Sequence, residues 1–178
     1  FVKEKHPKSV CSGIDLSEIA IQTAKSNVPD AEFQVCDVLR EGIPYADDSF
    51  DAVIALDVLE HVFQPHTLLQ EIKRVTNKYV IIGVPNFSSF PSRVQMLFGR
   101  VPENNRPKKG HVYWFTISVL KNLLEENGFV IREIKTNYQL ERFPILGSLF
   151  ALLTRIFPGM FALSFIILAE KDLSLPGS

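Results

Sequence analysis

Ser49-Phe50-Asp51-Ala52-Val53-Ile54-Ala55-Leu56-Asp57-Val58-Leu59-Glu60-His61 is the stretch that decides how this chain folds. Phe50 to Leu56 is an almost wholly apolar run of strand length, as expected of a parallel strand covered on both faces. Upstream, Val10 to Ile14 reads as a short strand ending at Asp15. Ser17 can cap a helix reaching Asn27, and Glu32 to Cys36 is a second short strand ending at Asp37. Downstream, Pro65 to Val75 is amphipathic, with Leu68, Leu69, Ile72 and Val75 on one face. Tyr79 to Val84 is another apolar strand, stopped by Pro85-Asn86. A helix around Ser92 to Phe98 ends at Gly99, and Thr116 caps a helix from Ile117 to Asn127. A strand from Phe129 to Asn137, an apolar helix from Leu146 to Phe157, a turn at Pro158-Gly159 and a strand from Phe161 to Ala169 complete the chain.

This alternation predicts an α/β fold: a doubly wound, mostly parallel, Rossmann-like sheet with helices on both faces and the last strand antiparallel. The 178 residues are read as one domain, 1–178, within which 87–115 forms a cover segment. Lys plus Arg number 19 against 20 Asp plus Glu, a balance that leaves no electrostatic footprint for nucleic acid. Cys11 and Cys36 make neither a disulfide framework nor a metal-ligand spacing, so a reducing, cytoplasmic compartment is expected and no metal site is read. The first residues, Phe1-Val2-Lys3-Glu4, lack the apolar run of a signal peptide. Pro144, Arg155, Pro158 and Gly159 divide the apolar stretch 143–169 into pieces shorter than the roughly 20 residues a bilayer span needs. A transmembrane segment is therefore not expected. Peripheral membrane contact through that helix is the weaker alternative, with Arg155 as its only cation.

Open α/β sheets bind ligands beyond the carboxyl ends of their strands. Here those positions are Asp15-Leu16, Asp37-Val38, Leu56-Asp57 and Pro85-Asn86. Asp15 can accept hydrogen bonds from both hydroxyls of a ribose, with Leu16 as an apolar plate for a base. Asp37 can meet the exocyclic amine of an adenine, with Val38 on the ring. Either carboxylate taken alone reads equally as a helix cap or a solvated turn.

The sequence resembles the class I S-adenosylmethionine-dependent methyltransferases. The resemblance rests on Gly13-Ile14-Asp15-Leu16-Ser17, on Cys36-Asp37-Val38 and on the Ser49–His61 run. It extends to Val84-Pro85-Asn86 and to His111-Val112-Tyr113-Trp114-Phe115-Thr116, which leads into a helix ending at Asn127-Gly128-Phe129. The stretch from Pro85-Asn86-Phe87 to Gly99-Arg100, with the His111 segment, is similar to MetW-like methionine biosynthesis proteins and to the methyltransferase type 11 and 23 groups. The resemblance implies S-adenosylmethionine as cofactor and methyl transfer to a small-molecule acceptor. It puts Asp15 on the ribose, Asp37 and Val38 on the adenine, and the Leu56 backbone carbonyl at the methionine end. His61 and His111 are the candidates for a catalytic base, since histidine titrates near neutrality. Packing, and ordering of the cover loop, are the competing roles for these two.

One family element is absent. No Gly-x-Gly-x-Gly turn precedes Asp15, and Gly13 is the sole glycine before it. The expectation is a sheet without its first strand, which belongs between the strands ending at Asp15 and Leu56. Such a chain should be destabilised, self-associating or rearranged, and should bind the cofactor weakly or not at all. A nicotinamide-dependent Rossmann enzyme would use Asp15 equally well but does not call for Asp37 or the 51–61 run. A non-catalytic, methyltransferase-like partner subunit is the other alternative. Phe87, Phe90, Phe98, Tyr113 and Trp114 suggest an apolar or planar acceptor, or plain packing.

Overall fold

A computed structural model describes residues 2–102, 107–137 and 144–174; residues 103–106 of the expected cover segment lie outside them. Two compact units hold the chain, Phe1–Pro44 and Tyr45–Ser178.

The first unit contains α1 (Val2–Lys5), β1 (Ser12–Asp15), α2 (Glu18–Asn27), β2 (Glu32–Val35) and the single-turn α3 (Val38–Glu41). Ser17 caps α2 as expected, its Oγ accepting from the Ala20 N–H at 3.3 Å. β1 and β2 pair in parallel, with Ser12 opposite Glu32 and Asp15 opposite Val35, so both strands run out at the same end. Gly13 has a steric reason: a Cβ there would lie 2.7 Å from the Phe33 ring that packs over it.

The second unit contains β3 (Phe50–Leu56), α4 (Pro65–Val75), β4 (Thr76–Pro85), α5 (Phe90–Leu97), α6 (Ile117–Glu126), β5 (Phe129–Asn137), α7 (Pro144–Ile156), α8 (Pro158–Phe161) and β6 (Ser164–Lys171). The sheet order is β3-β4-β6-β5. β3 runs parallel to β4, while β6 runs antiparallel to both β4 and β5, as the sequence led one to expect of the last strand. The core lies where alternate residues of β4 (Val80, Ile82, Val84) and β6 (Phe165, Ile167, Ala169) meet Leu69 and Ile72 of α4 and Leu120 and Leu124 of α6, all buried. Fully burying such a side chain contributes about 1.5–3 kcal/mol, so the helical spacing of α4 and α6 is fixed by what lies under it.

Two expectations are corrected. β3 is not covered on both faces: Ala52, Ile54 and Leu56 are exposed, the last two 49% each. Among the described residues β3 is an edge strand of its sheet, paired with β4 alone, and β1 pairs with β2 alone. The Pro158-Gly159 turn is in fact the first turn of α8, where the Phe157 carbonyl accepts from the N–H groups of Met160 and Phe161 at 3.0 and 3.1 Å. Proline at a helix start has its φ already set and no N–H to lose. No described helix is long and apolar enough to cross a membrane.

Candidate functional site

In the first unit, Asp15 and Asp37 stand at the carboxyl ends of adjacent parallel strands, with Leu16 and Val38 next to them. The Cys36 N–H donates to the Asp15 carbonyl at 3.0 Å and holds the two strand ends together. Asp15 is exposed, and its Oδ1 accepts from the Ser17 N–H at 2.7 Å, leaving Oδ2 for another donor. Asp37 occupies the N-cap position of α3 but makes no capping hydrogen bond with its side chain. Its nearest basic partner, Arg40, keeps Nε 3.8 Å from Oδ2, a loose contact. Leu16 is 69% exposed, a large apolar surface left beside a carboxylate. Acceptor oxygens and aliphatic plates of this kind suit the hydroxyls, amine and ring of an adenosine, so the donor set fits that half of S-adenosylmethionine.

In the second unit, β3 ends at Leu56, and Asp57 turns the chain with φ +53° while its N–H donates to the Gly83 carbonyl at 2.9 Å. A 3-10 turn, Leu59–His61, follows, anchored by the fully buried Leu59. The Glu60 carbonyl accepts from the N–H groups of Val112 and Tyr113 at 2.8 and 3.1 Å. This clamp brings His111 to His61: their ring centroids are 4.7 Å apart, with planes at 79°. The pair of histidines predicted separately is thus one cluster. His61 Nδ1 lies 3.2 Å from the Gly110 carbonyl. A carbonyl only accepts, so Nδ1 is the donor in this contact and Nε2 is the nitrogen left for another partner.

Sequence reasoning missed Glu60. Its side chain is 1% exposed, and neither carboxylate oxygen has a partner at full hydrogen-bond geometry. Burial pushes its carboxyl above the ordinary glutamate range; its own backbone N–H and His61 oppose the rise, and the nearby Asp57 carboxylate adds to it. The one signal in the sequence was an acid directly beside a histidine in the turn after an apolar strand. Asn86 is also settled differently from a ligand-facing position. Its buried side-chain amide donates to the carbonyls of Gly159 and Ala162, at 3.0 and 2.8 Å, and its Oδ1 accepts from the Ser88 N–H and hydroxyl. Of the aromatics expected at the cover, Phe87 stacks on Trp114, Tyr113 lies against Phe115 and Phe90 stacks on Phe161. Phe98 is 73% exposed.

Residues 3–82 match the family model for a methyltransferase domain. The match covers less than half of the 178 residues, and solved structures of SAM-dependent methyltransferases share the fold of this chain. A SAM-dependent methyltransferase of Methanosarcina mazei is 22% identical with a TM-score of 0.60, over 91% of this chain and 82% of that one. Magnesium protoporphyrin IX methyltransferase of Synechocystis, solved with bound SAH, is 18% identical with a TM-score of 0.59, over 94% and 66%. The [4+2]-cyclase SpnF is 16% identical with a TM-score of 0.65, over 96% and 69%. At such identities the likeness shows the fold and not the reaction, as a cyclase among methyltransferases illustrates. No curated protein matches the sequence.

Proposed function

We propose that this chain serves S-adenosylmethionine-dependent methyl transfer to a small-molecule acceptor. The observation that carries the reading is the β1–β2 register, which sets Asp15 and Asp37 at the same end of two neighbouring parallel strands. Asp15 takes the ribose hydroxyls, Asp37 the adenine amine, and Leu16 and Val38 the faces of the base. The family resemblance alone assigns the backbone carbonyl of Leu56 to the methionine end. When bound, S-adenosylmethionine supplies a methyl group on a positively charged sulfur. What remains for the protein is alignment and, for a protonated acceptor, a base. His61 Nε2 and the His111 ring are the groups assigned to take that proton.

Saturation-transfer NMR tests this on the 178-residue chain, because it registers weak binding. Adenine and ribose protons of S-adenosylhomocysteine should show enhancement, and Asp15→Ala and Asp37→Ala should each weaken binding about tenfold, the worth of a hydrogen bond to a charged acceptor. Displacement by NADH at equal concentration, or signals indifferent to both substitutions, overturns the reading.

A further inference from the structure

We propose that Glu60, His61 and His111 form a binding site for one first-row divalent transition cation. One ligand atom from each of the three lies within 4.8 Å of the others. Three independent features of the cluster point to a cation. The first is the carboxylate: a side chain 1% exposed whose two oxygens have no hydrogen-bond partner. An uncompensated buried carboxylate is costly, and proteins hold such groups by pairing them or by placing them on a metal. The second is the contact of His61 Nδ1 with the Gly110 carbonyl, which leaves Nε2 as the nitrogen for a ligand; a hydrogen bond from the second nitrogen to a carbonyl is what orients metal-bound imidazoles. The third is the double backbone clamp of Val112 and Tyr113 on the Glu60 carbonyl, which fixes the 111–113 segment against the Leu59–His61 turn before any ion arrives.

The donor set chooses the ion. Two imidazoles and one carboxylate suit zinc, manganese, iron(II) or cobalt, whereas magnesium and calcium favour oxygen donors throughout. Bonds of about 2.0–2.2 Å need donors roughly 3–3.5 Å apart, so the cluster closes by about an ångström on binding. His61 is exposed, so this movement displaces no buried side chain. Three protein donors leave at least one coordination position open, the arrangement of a cation that meets a further ligand rather than a purely structural one. A histidine whose lone pair rests on a metal is no longer a base, so an occupied site takes the base role away from His61 and His111, whereas the adenosine-binding reading at Asp15 and Asp37 is separate from it.

The test is calorimetric titration of the chelator-treated chain with zinc, manganese and magnesium chlorides, in the absence of S-adenosylmethionine. One equivalent of zinc or manganese should bind. Glu60→Gln, His61→Ala and His111→Ala should each weaken binding roughly tenfold to a hundredfold, and His66→Ala should leave it unchanged. Because Glu60 is buried, circular dichroism of each variant is compared first. The exposed His61 supplies the variant whose folding is least at risk, and cobalt(II) absorption in the visible reports nitrogen ligation directly. No binding of zinc or manganese, magnesium binding as tightly as both, or zinc binding indifferent to His61→Ala and His111→Ala overturns the proposal. S-adenosylhomocysteine binding is read separately by NMR, so loss of one reading leaves the other standing.

Discussion

His61 donates from Nδ1 to the carbonyl of Gly110, 3.2 Å away across forty-nine residues of sequence. Gly110 makes this contact with φ +70°, and a Cβ placed on it would sit 3.6 Å from that nitrogen, an ordinary contact. The backbone conformation therefore demands glycine while the space does not.

Gly110→Ala should destabilise the chain by about 1–2 kcal/mol through left-handed strain alone. The His61 ring should also lose its fixed orientation, read as altered line widths of its carbon-bound protons. A urea midpoint equal to that of the parent chain contradicts this account.

Glu60→Gln should stabilise the chain in the presence of a chelator at pH 8. The folded carboxyl titrates above its unfolded value, so the folded state holds more protons than the unfolded one through that window. Stability of the parent chain must then fall as pH rises from the ordinary glutamate value, about 4.3, through the raised one. Glutamine carries no such charge, so the variant's stability should be flatter with pH, with a gain of about 1–3 kcal/mol at the alkaline end. Parallel curves for the two proteins would remove the basis for it.

Asn86→Ala should cost about 2–3 kcal/mol, because the Ala162 carbonyl loses its buried donor and Ser88 loses the acceptor that orders it. Asn86→Asp should cost more, since it sets a carboxylate against two carbonyls. Urea unfolding with unchanged dependence on denaturant is the measurement, and an aspartate variant as stable as the parent refutes the assignment.

Cys11 should react with a thiol reagent at pH 8 well before Cys36. Cys36 is 5% exposed, its thiol donates to the Gly42 carbonyl at 3.3 Å, and burial pushes its pKa up, with Glu41 and Asp37 adding. Thiolate is the reactive form, so a rate about tenfold lower or less is expected, rising only above the ordinary thiol range near pH 8.5. The check is loss of the fast phase in Cys11→Ala and its survival in Cys36→Ala.

Much of this molecule is legible in its sequence. The Ser17 and Thr116 caps, the buried stripe of Leu68, Leu69, Ile72 and Val75, and the strand Phe50–Leu56 all lie where the sequence puts them. Each depends on residues two to four apart, the range over which a helix turn or a strand pleat repeats. The positions of Asp15 and Asp37 at strand ends follow from the same local pattern.

What the chain order could not state is distance between remote segments. The meeting of Glu60, His61 and His111 needs the 110–113 segment folded back onto the turn after β3. The use of Asn86 needs α8, and the open face of β3 depends on which strands and helices lie beside it. Periodicity alone wrote the strands, the helices and their caps. Partnership between side chains fifty or more residues apart was decided by tertiary packing, because hydrogen bonds and ligand geometry act over a few ångströms of space and are blind to separation along the chain.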